Sequence, residues 1–373
     1  MQHQDQLAVL NNNDSLILKL THLHSLIKRH HPFIERVALA LYDNATDIVR
    51  TFVYSGEQSS LNHYQAKLAN CYSLQQLAAK QQPRVENDLS VFKDSTHRHA
   101  LQIYKAGFRS SYTLPMLWNG ELLGFVFFNA KSADVFTEPC MQELDVIGHL
   151  LCLVLLNEMT NVRTLLATLR SALDLTHSRD PETGYHLERM SRYSRLIART
   201  TAEHFALDDN FIEHVFLFSP LHDLGKMAIP DSVLLKPGKL TEQEYHVMKG
   251  HSEAGLALID KLLINYGLDG VGYIAMLRNI VLHHHEAWDG SGYPLGLSGE
   301  TIPVEARIVA VADVFDALTS ERPYKKAWSN ADAFAKLQQL AAVSLDPVCV
   351  AALISNEAEV LDIQQSFKER QFG

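Results

Sequence analysis

The run from Val309 to Leu318 reads Val-Ala-Val-Ala-Asp-Val-Phe-Asp-Ala-Leu, apolar on every side except at Asp313 and Asp316. On a helix, residues three apart lie on one side, so both carboxylates face one cavity. Buried carboxylates are costly without compensating cations, and a fold that buries this helix has to supply them. His222-Asp223 repeats the demand, because it follows the largely apolar approach Leu217-Phe218-Ser219-Pro220-Leu221. Neighbours on a helix diverge by about 100°. The His222 imidazole can then bind one ion while the two oxygens of Asp223 reach between two.

The same half of the chain holds further ligand-type residues. His251 follows Met248-Lys249-Gly250, and His284 and His285 stand in succession before Glu286, where they can serve two neighbouring ions. Glu182 and His186, four apart, share a face if their segment is helical. Nitrogen and oxygen ligands without thiolate fit Mn, Fe, Ni or Zn. Two such ions roughly 3.5 to 4 Å apart can clamp an in-line displacement at phosphorus. Lys226, four residues after His222 and so on the same helical face, is placed to protonate a leaving oxygen or hold a phosphate oxygen. In the loop Gly290-Ser291-Gly292-Tyr293-Pro294, the glycines allow close backbone approach and Pro294 fixes direction. Tyr293 and nearby Trp288 offer stacking faces and hydrogen-bonding edges to a base.

At 373 residues the chain is about twice a typical domain, which predicts two domains. Thirty-three basic against 43 acidic side chains give a net charge of -10, which argues against a broad surface for DNA, RNA or an anionic membrane. A small anion needs only a local basic cluster. Cys71, Cys140, Cys152 and Cys349 form no C-x-x-C pair, so neither a zinc ribbon nor a disulfide framework is expected, and a reducing compartment fits. The start Met1 to Gln6 lacks the pattern of a signal peptide, and the apolar run Leu150 to Leu156 is far short of a membrane span. The expectation is a soluble, cytoplasmic protein.

Residues 1–150 read as an α+β unit. Val37 to Tyr42 and Ile48 to Tyr54 are β-prone runs around a turn-rich spacer, and Ser110 to Trp118 and Leu122 to Phe128 flank Asn119-Gly120, a strong hairpin signal. Helical stretches are expected near Leu16 to Lys28 and Tyr72 to Lys80. This element order resembles a GAF domain, although the Asn-Lys-Phe-Asp-Glu signature of its cyclic-nucleotide-binding members is absent. A connecting helix is expected over 138–178. Its residues Leu155, Met159, Val162, Leu166, Leu169 and Leu173 make an apolar seam with a period near 3.5, which suits a parallel two-stranded coil and hence a homodimer. Packing within its own chain is the competing account. Residues 165–373 read as an all-α domain.

The ordered segments Glu182-Thr183-Gly184-x-His186, His222-Asp223-Leu224-Gly225-Lys226, His284-His285-Glu286-x-Trp288-Asp289-Gly290-x-Gly292-Tyr293-Pro294 and Asp313-Val314-Phe315-Asp316-Ala317-Leu318-Thr319 closely resemble HD-GYP phosphodiesterases. That resemblance implies hydrolysis of a cyclic dinucleotide, cyclic di-GMP or 3′3′-cyclic GMP-AMP, at two or three divalent ions, iron or manganese. It implies His186, His222, Asp223, His251, His284, His285 and Asp313 as ligands, with Asp223 bridging, and Glu182 as the mark of a third ion. Arg322 and Lys325, beyond the Asp316 helix, resemble the family's contacts to substrate phosphate. Partner proteins often bind such domains near the Gly-Tyr-Pro loop, and a dinucleotide sensor without catalysis is the reading from a different class.

Overall fold

The computed structural model describes residues 5–12, 14–56, 63–93, 98–177, 184–266, 273–321 and 326–367. The chain divides into two compact units, Met1–Thr160 and Asn161–Gly373.

The first unit runs α1 (Leu16–His30), β1 (Ile34–Asp43), β2 (Ile48–Gly56), β3 (Gln65–Lys67), α2 (Tyr72–Lys80), β4 (Arg84–Glu86), α3 (Arg98–Lys105), β5 (Ser110–Trp118), β6 (Glu121–Ala130) and the start of α4 (Glu138–His177). The strands form one antiparallel sheet in the order β3-β2-β1-β6-β5-β4. Its two faces follow from alternation along the strands. Val37, Leu39, Leu41, Val126 and Phe128 pack with Leu16, Leu20 and Leu23 of α1 and Leu144 and Leu151 of α4. Ala38, Ala40, Phe125 and Phe127 point the other way, toward Leu74 and Leu77 of α2. Asn119 and Gly120 both take positive φ, 51° and 81°, as a tight hairpin turn requires. This is the α+β architecture that the strand and helix signals of the sequence lead one to expect. The three-residue strands β3 and β4 are too short for period-2 alternation to announce them.

Helix α4 begins ten residues before Gly148, at which an added Cβ would come within 2.3 Å of Leu114 Cδ1 on the sheet. Glycine there lets helix and sheet approach closely. The apolar stretch is longer than Leu150 to Leu156: Glu138–Thr160 is long and apolar enough by composition to cross a membrane. In this fold Cys140, Leu144, Leu151 and Leu155 pack into the unit's core at helical spacing. That also corrects the start of the seam. Leu155 is only 1% exposed and Met159 packs against the same core, so both are spent within the chain. Val162, Leu166, Leu169 and Leu173 lie along α4, with side chains outside the described residues.

The second unit is helical throughout its described elements: α5 (Gly184–Thr200), α6 (Ala202–Phe205), α7 (Asp209–Phe218), α8 (Asp231–Leu234), α9 (Glu242–Lys249), α10 (His251–Tyr266), α11 (Ile274–His283), α12 (Val304–Thr319), α13 (Asn330–Leu340), α14 (Pro347–Ile354) and α15 (Glu357–Ser366). Tyr193 and Ile197 of α5, Val215 and Phe218 of α7, Ile280 of α11 and Val311 and Phe315 of α12 share one core. Helix α12 is buried nearly all round, as its composition demands. All four cysteines are buried free thiols.

Candidate metal centre

Most of the ligand-type side chains sit where a helix starts or stops. His186 lies in the first turn of α5, and His251 opens α10. His284 follows the last residue of α11, His285 comes next, and Asp313 lies on α12. His222 and Asp223 are not on an α-helix, contrary to the spacing argument. They join two short 3-10 turns, Ser219–Leu221 and Leu224–Ala228, because Pro220 cannot carry α7 onward. Lys226 therefore reaches Asp223 around a turn rather than along a helical face, with Nζ 2.7 Å from Oδ2. Gly225 lets that turn pass against α10, since a Cβ there would meet the His251 carbonyl.

These positions converge in two groups. Asp223, His251, His284 and His285 offer ligand atoms all within 4.8 Å of one another, and so do His186, His222 and Asp313. Asp223 faces both. Its Oδ1 lies 3.3 Å from His251 Nε2 and 3.7 Å from His284 Nε2, while Oδ2 lies 3.1 Å from His222 Nε2. His222 Nε2 is in turn 3.8 Å from Asp313 Oδ1.

The orientation of the rings carries the chemistry. The Nδ1 atoms of His222, His251 and His284 donate to the carbonyls of Ser219, Met248 and Ile280 at 2.9, 2.8 and 3.0 Å. His186 Nδ1 bonds Asp316 Oδ2 at 2.7 Å. A proton held at Nδ1 leaves Nε2 as a lone pair, the arrangement by which outer partners orient metal-binding histidines. His251 Nε2 and His284 Nε2 then face each other at 3.4 Å, two lone pairs that repel without a cation between them. His222 Nε2 and Asp223 Oδ1 are buried without a hydrogen bond. Such orphaned atoms are expensive, and a divalent ion satisfies them. The donor set, imidazole and carboxylate without thiolate, suits a transition metal.

Electrostatics agree. Burial alone would raise the Asp223 carboxyl, but the Lys226 ammonium and His222 hold it well below the usual carboxylate range. His222 is the exception: burial pushes its imidazole down, yet Asp223 and Asp313 outweigh it and raise it to about 9, so a cation at Nε2 has to displace a proton. Burial and neighbouring His284 push His285 down to about 2, keeping it a neutral ligand.

Among the residues expected to touch substrate, Tyr293 lies at the centre: its ring is 4.8 Å from that of His285 and 6.4 Å from that of His251. Gly292 passes so close to His285 and Ala287 that a Cβ would strike backbone, and the Tyr293–Pro294 peptide is cis. The Trp288 ring lies 5.8 Å from the Arg307 guanidinium, which pairs with Asp346 at 2.6 Å, so that cation approaches one face of the indole. Asp316 is corrected: it is wholly buried, with both oxygens taken by His186, Arg189 and Ser320, so it orients His186 and cannot meet a ligand. Glu182, Arg322 and Lys325 lie outside the described residues.

Two residues of the site were not foreseen. Arg189 grips Asp316 through Nε at 2.7 Å, and its signal was an Arg one helical turn after His186. Buried Glu286 accepts the Leu295 and Leu297 amides at 2.8 and 2.9 Å, anchoring the return of the Gly-Tyr-Pro loop. Its adjacency to His285 gave no hint of that role.

Residues 175–348 match the family model described as an HD domain. The cyclic di-GMP phosphodiesterase response regulator RpfG of Xanthomonas campestris is 48% identical over 189 residues, 51% of this chain and 47% of its own. The 3′3′-cGAMP-specific phosphodiesterase 2 of Vibrio cholerae is 36% identical over 192 residues, 52% of this chain and 35% of its own. The chain spans about half the length, or less, of the curated relatives it matches. The GAF domain of a phosphoenolpyruvate-protein phosphotransferase from Coxiella burnetii aligns with 42% of this chain and 91% of its own, at 15% identity and a TM-score of 0.35. The ligand side chains that converge on two cation positions lie within residues 175–348, the region similar to an HD domain.

Proposed function

We propose that this chain is a metal-dependent phosphodiesterase that opens a cyclic dinucleotide, cyclic di-GMP in the first instance, to its linear form and onward to mononucleotide. The observation that carries the reading is Asp223, which turns one oxygen to His251 and His284 and the other to His222. His186, His222 and Asp313 would hold one ion and His251, His284 and His285 another, with Asp223 between them; Glu182 would mark a third. Iron or manganese suits the donor set. Bound there, such ions would supply Lewis-acid polarisation of the phosphoryl group and an activated water. Hydrolysis exchanges the phosphorus bond to the ribose oxygen for one to a water oxygen. The leaving oxygen takes a proton, and Lys226 Nζ holds one beside Asp223. Tyr293 faces the base, and Arg322 and Lys325 are proposed phosphate contacts.

Turnover at 3′3′-cyclic GMP-AMP is the second reading, favoured by likeness to the Vibrio cholerae enzyme named for that substrate. A sensor without catalysis is disfavoured because both ligand groups are complete. In the first unit, a small pocket lined by Arg36, Ala38, Cys71, Leu74, Phe127 and Asn129 is the candidate place for a GAF ligand. Dimerisation through the later seam, Val162 to Leu173, a signalling-protein partner at the loop and a cytoplasmic setting belong to the same proposal. The test is turnover of both cyclic dinucleotides by protein of measured iron and manganese content. Linear product in proportion to bound metal supports the reading, and metal-loaded protein that cleaves neither substrate overturns it.

A further inference from the structure

Helix α9 is an unusual wall for a site: none of its residues is buried. It is held at its N-terminal end, through a capping box between Thr241 and Glu244 and an ion pair from Lys236 to Glu244 at 2.6 Å. Four residues apart on its exposed side stand Tyr245, half exposed, and Lys249. The Lys249 ammonium lies 5.2 Å from the centre of the Tyr245 ring and 5.7 Å from that of Tyr293. Among the described residues no carboxylate pairs with it. Tyr293 in turn rests on His285, so a single ring separates this cation from the metal ligands.

From this we infer that Lys249, with Tyr245, forms a specificity-determining rim that receives the second phosphate of a cyclic dinucleotide and the base beside it. The inference rests on the phosphodiesterase reading above. A cyclic dinucleotide carries two phosphates. The one under attack is met by the ion cluster, and the other brings an anion to the mouth of a chain whose net charge is -10. An unpaired ammonium beside two aromatic faces has the chemistry to hold it: Lys as a point charge for phosphate, tyrosines as stacking surfaces for a base. A lysine in the last turn of a helix also complements the helix dipole. That structural role predicts lost stability without a change in substrate preference.

The test is steady-state kinetics of the full chain loaded with Mn(II), comparing cyclic di-GMP with bis(p-nitrophenyl) phosphate, a diester that has one phosphate and no base. In Lys249→Met, the ratio of kcat/KM for cyclic di-GMP to that for the simple diester falls about tenfold, a loss of one charge-assisted contact. The loss appears in KM, the metal content stays at the wild-type level, and Lys249→Arg recovers most of the ratio. An unchanged ratio, or equal losses on both substrates, overturns the role of Lys249 while leaving the phosphodiesterase reading intact. Wild-type protein that cleaves the simple diester but neither cyclic dinucleotide overturns both.

Discussion

Both units bury histidines, and the contrast between them teaches how to tell a core residue from a ligand. In the first unit His24 is 3% exposed and both ring nitrogens are satisfied, Nδ1 with Ser55 Oγ at 2.9 Å and Nε2 with the Ile34 carbonyl at 3.0 Å. In the second unit His222, His251 and His284 are as deeply buried, but only Nδ1 is spent on a carbonyl, while Nε2 points at other Nε2 and carboxylate atoms. Full satisfaction closes a site. Half satisfaction, repeated on three rings aimed at one place, leaves a demand that only a cation meets.

The sharpest way to break this contrast is Asp223→Ala. Because Asp223 faces both groups, its loss is expected to lower bound metal at two positions and cut turnover by on the order of a thousandfold or more. Elemental analysis beside product chromatography reads both quantities. Full turnover with undiminished metal would falsify the bridging role.

Asp316→Asn comes next. It weakens the hold on His186 Nδ1 and leaves the Arg189 guanidinium buried beside a neutral group. Metal affinity and turnover should fall about 10- to 100-fold, as when an outer partner of a ligand is removed. Stability should fall by about 1 to 3 kcal/mol as the buried charge-assisted hydrogen bonds from Arg189 weaken. A substrate-contacting Asp316 would instead raise KM at normal metal content.

For the first unit, His24→Ala strands Ser55 Oγ and the Ile34 carbonyl, which costs about 1 to 3 kcal/mol in denaturant unfolding of that unit. Metal content stays at the wild-type level. A drop in bound metal would mean that full satisfaction of a ring does not mark a purely structural histidine.

The same contrast sets what the sequence could reveal. His222 and Asp313 were legible because each stands in an apolar context that makes its polarity expensive, and His284 and His285 because they stand in succession. Their Nδ1 partners were not, since those are backbone carbonyls that no residue type encodes. Asp316 was read as facing the same cavity as Asp313 because spacing reports a shared side, whereas Arg189, contributed by α5, decides that one of the two is sealed. For Trp288, stacking capacity is visible in the side chain, but its neighbour Arg307 is set by tertiary packing. In the sheet, Asn119-Gly120 announced its hairpin through local φ alone, while β3 and β4 exist only through pairing with longer strands.

The smallest expected effect concerns α9, which reverses the logic of the metal centre by having polar contacts at its N-terminal end and no buried residue. The ion pair with Lys236, then the Thr241 amide, lower the Glu244 carboxyl to about 2, from an ordinary value of 4.5. A carboxyl lowered on folding contributes stability that is present above its unfolded value and lost as pH falls through its folded one. Glu244→Gln keeps an acceptor for the capping box and removes only the charge. The wild type should therefore melt about a degree higher than Glu244→Gln at neutral pH, with the gap shrinking below about pH 4.5 and closing near pH 2. Added salt should narrow it at neutral pH, since the pair is solvent-accessible. A gap that is indifferent to both pH and salt would show that α9 is held by packing after all.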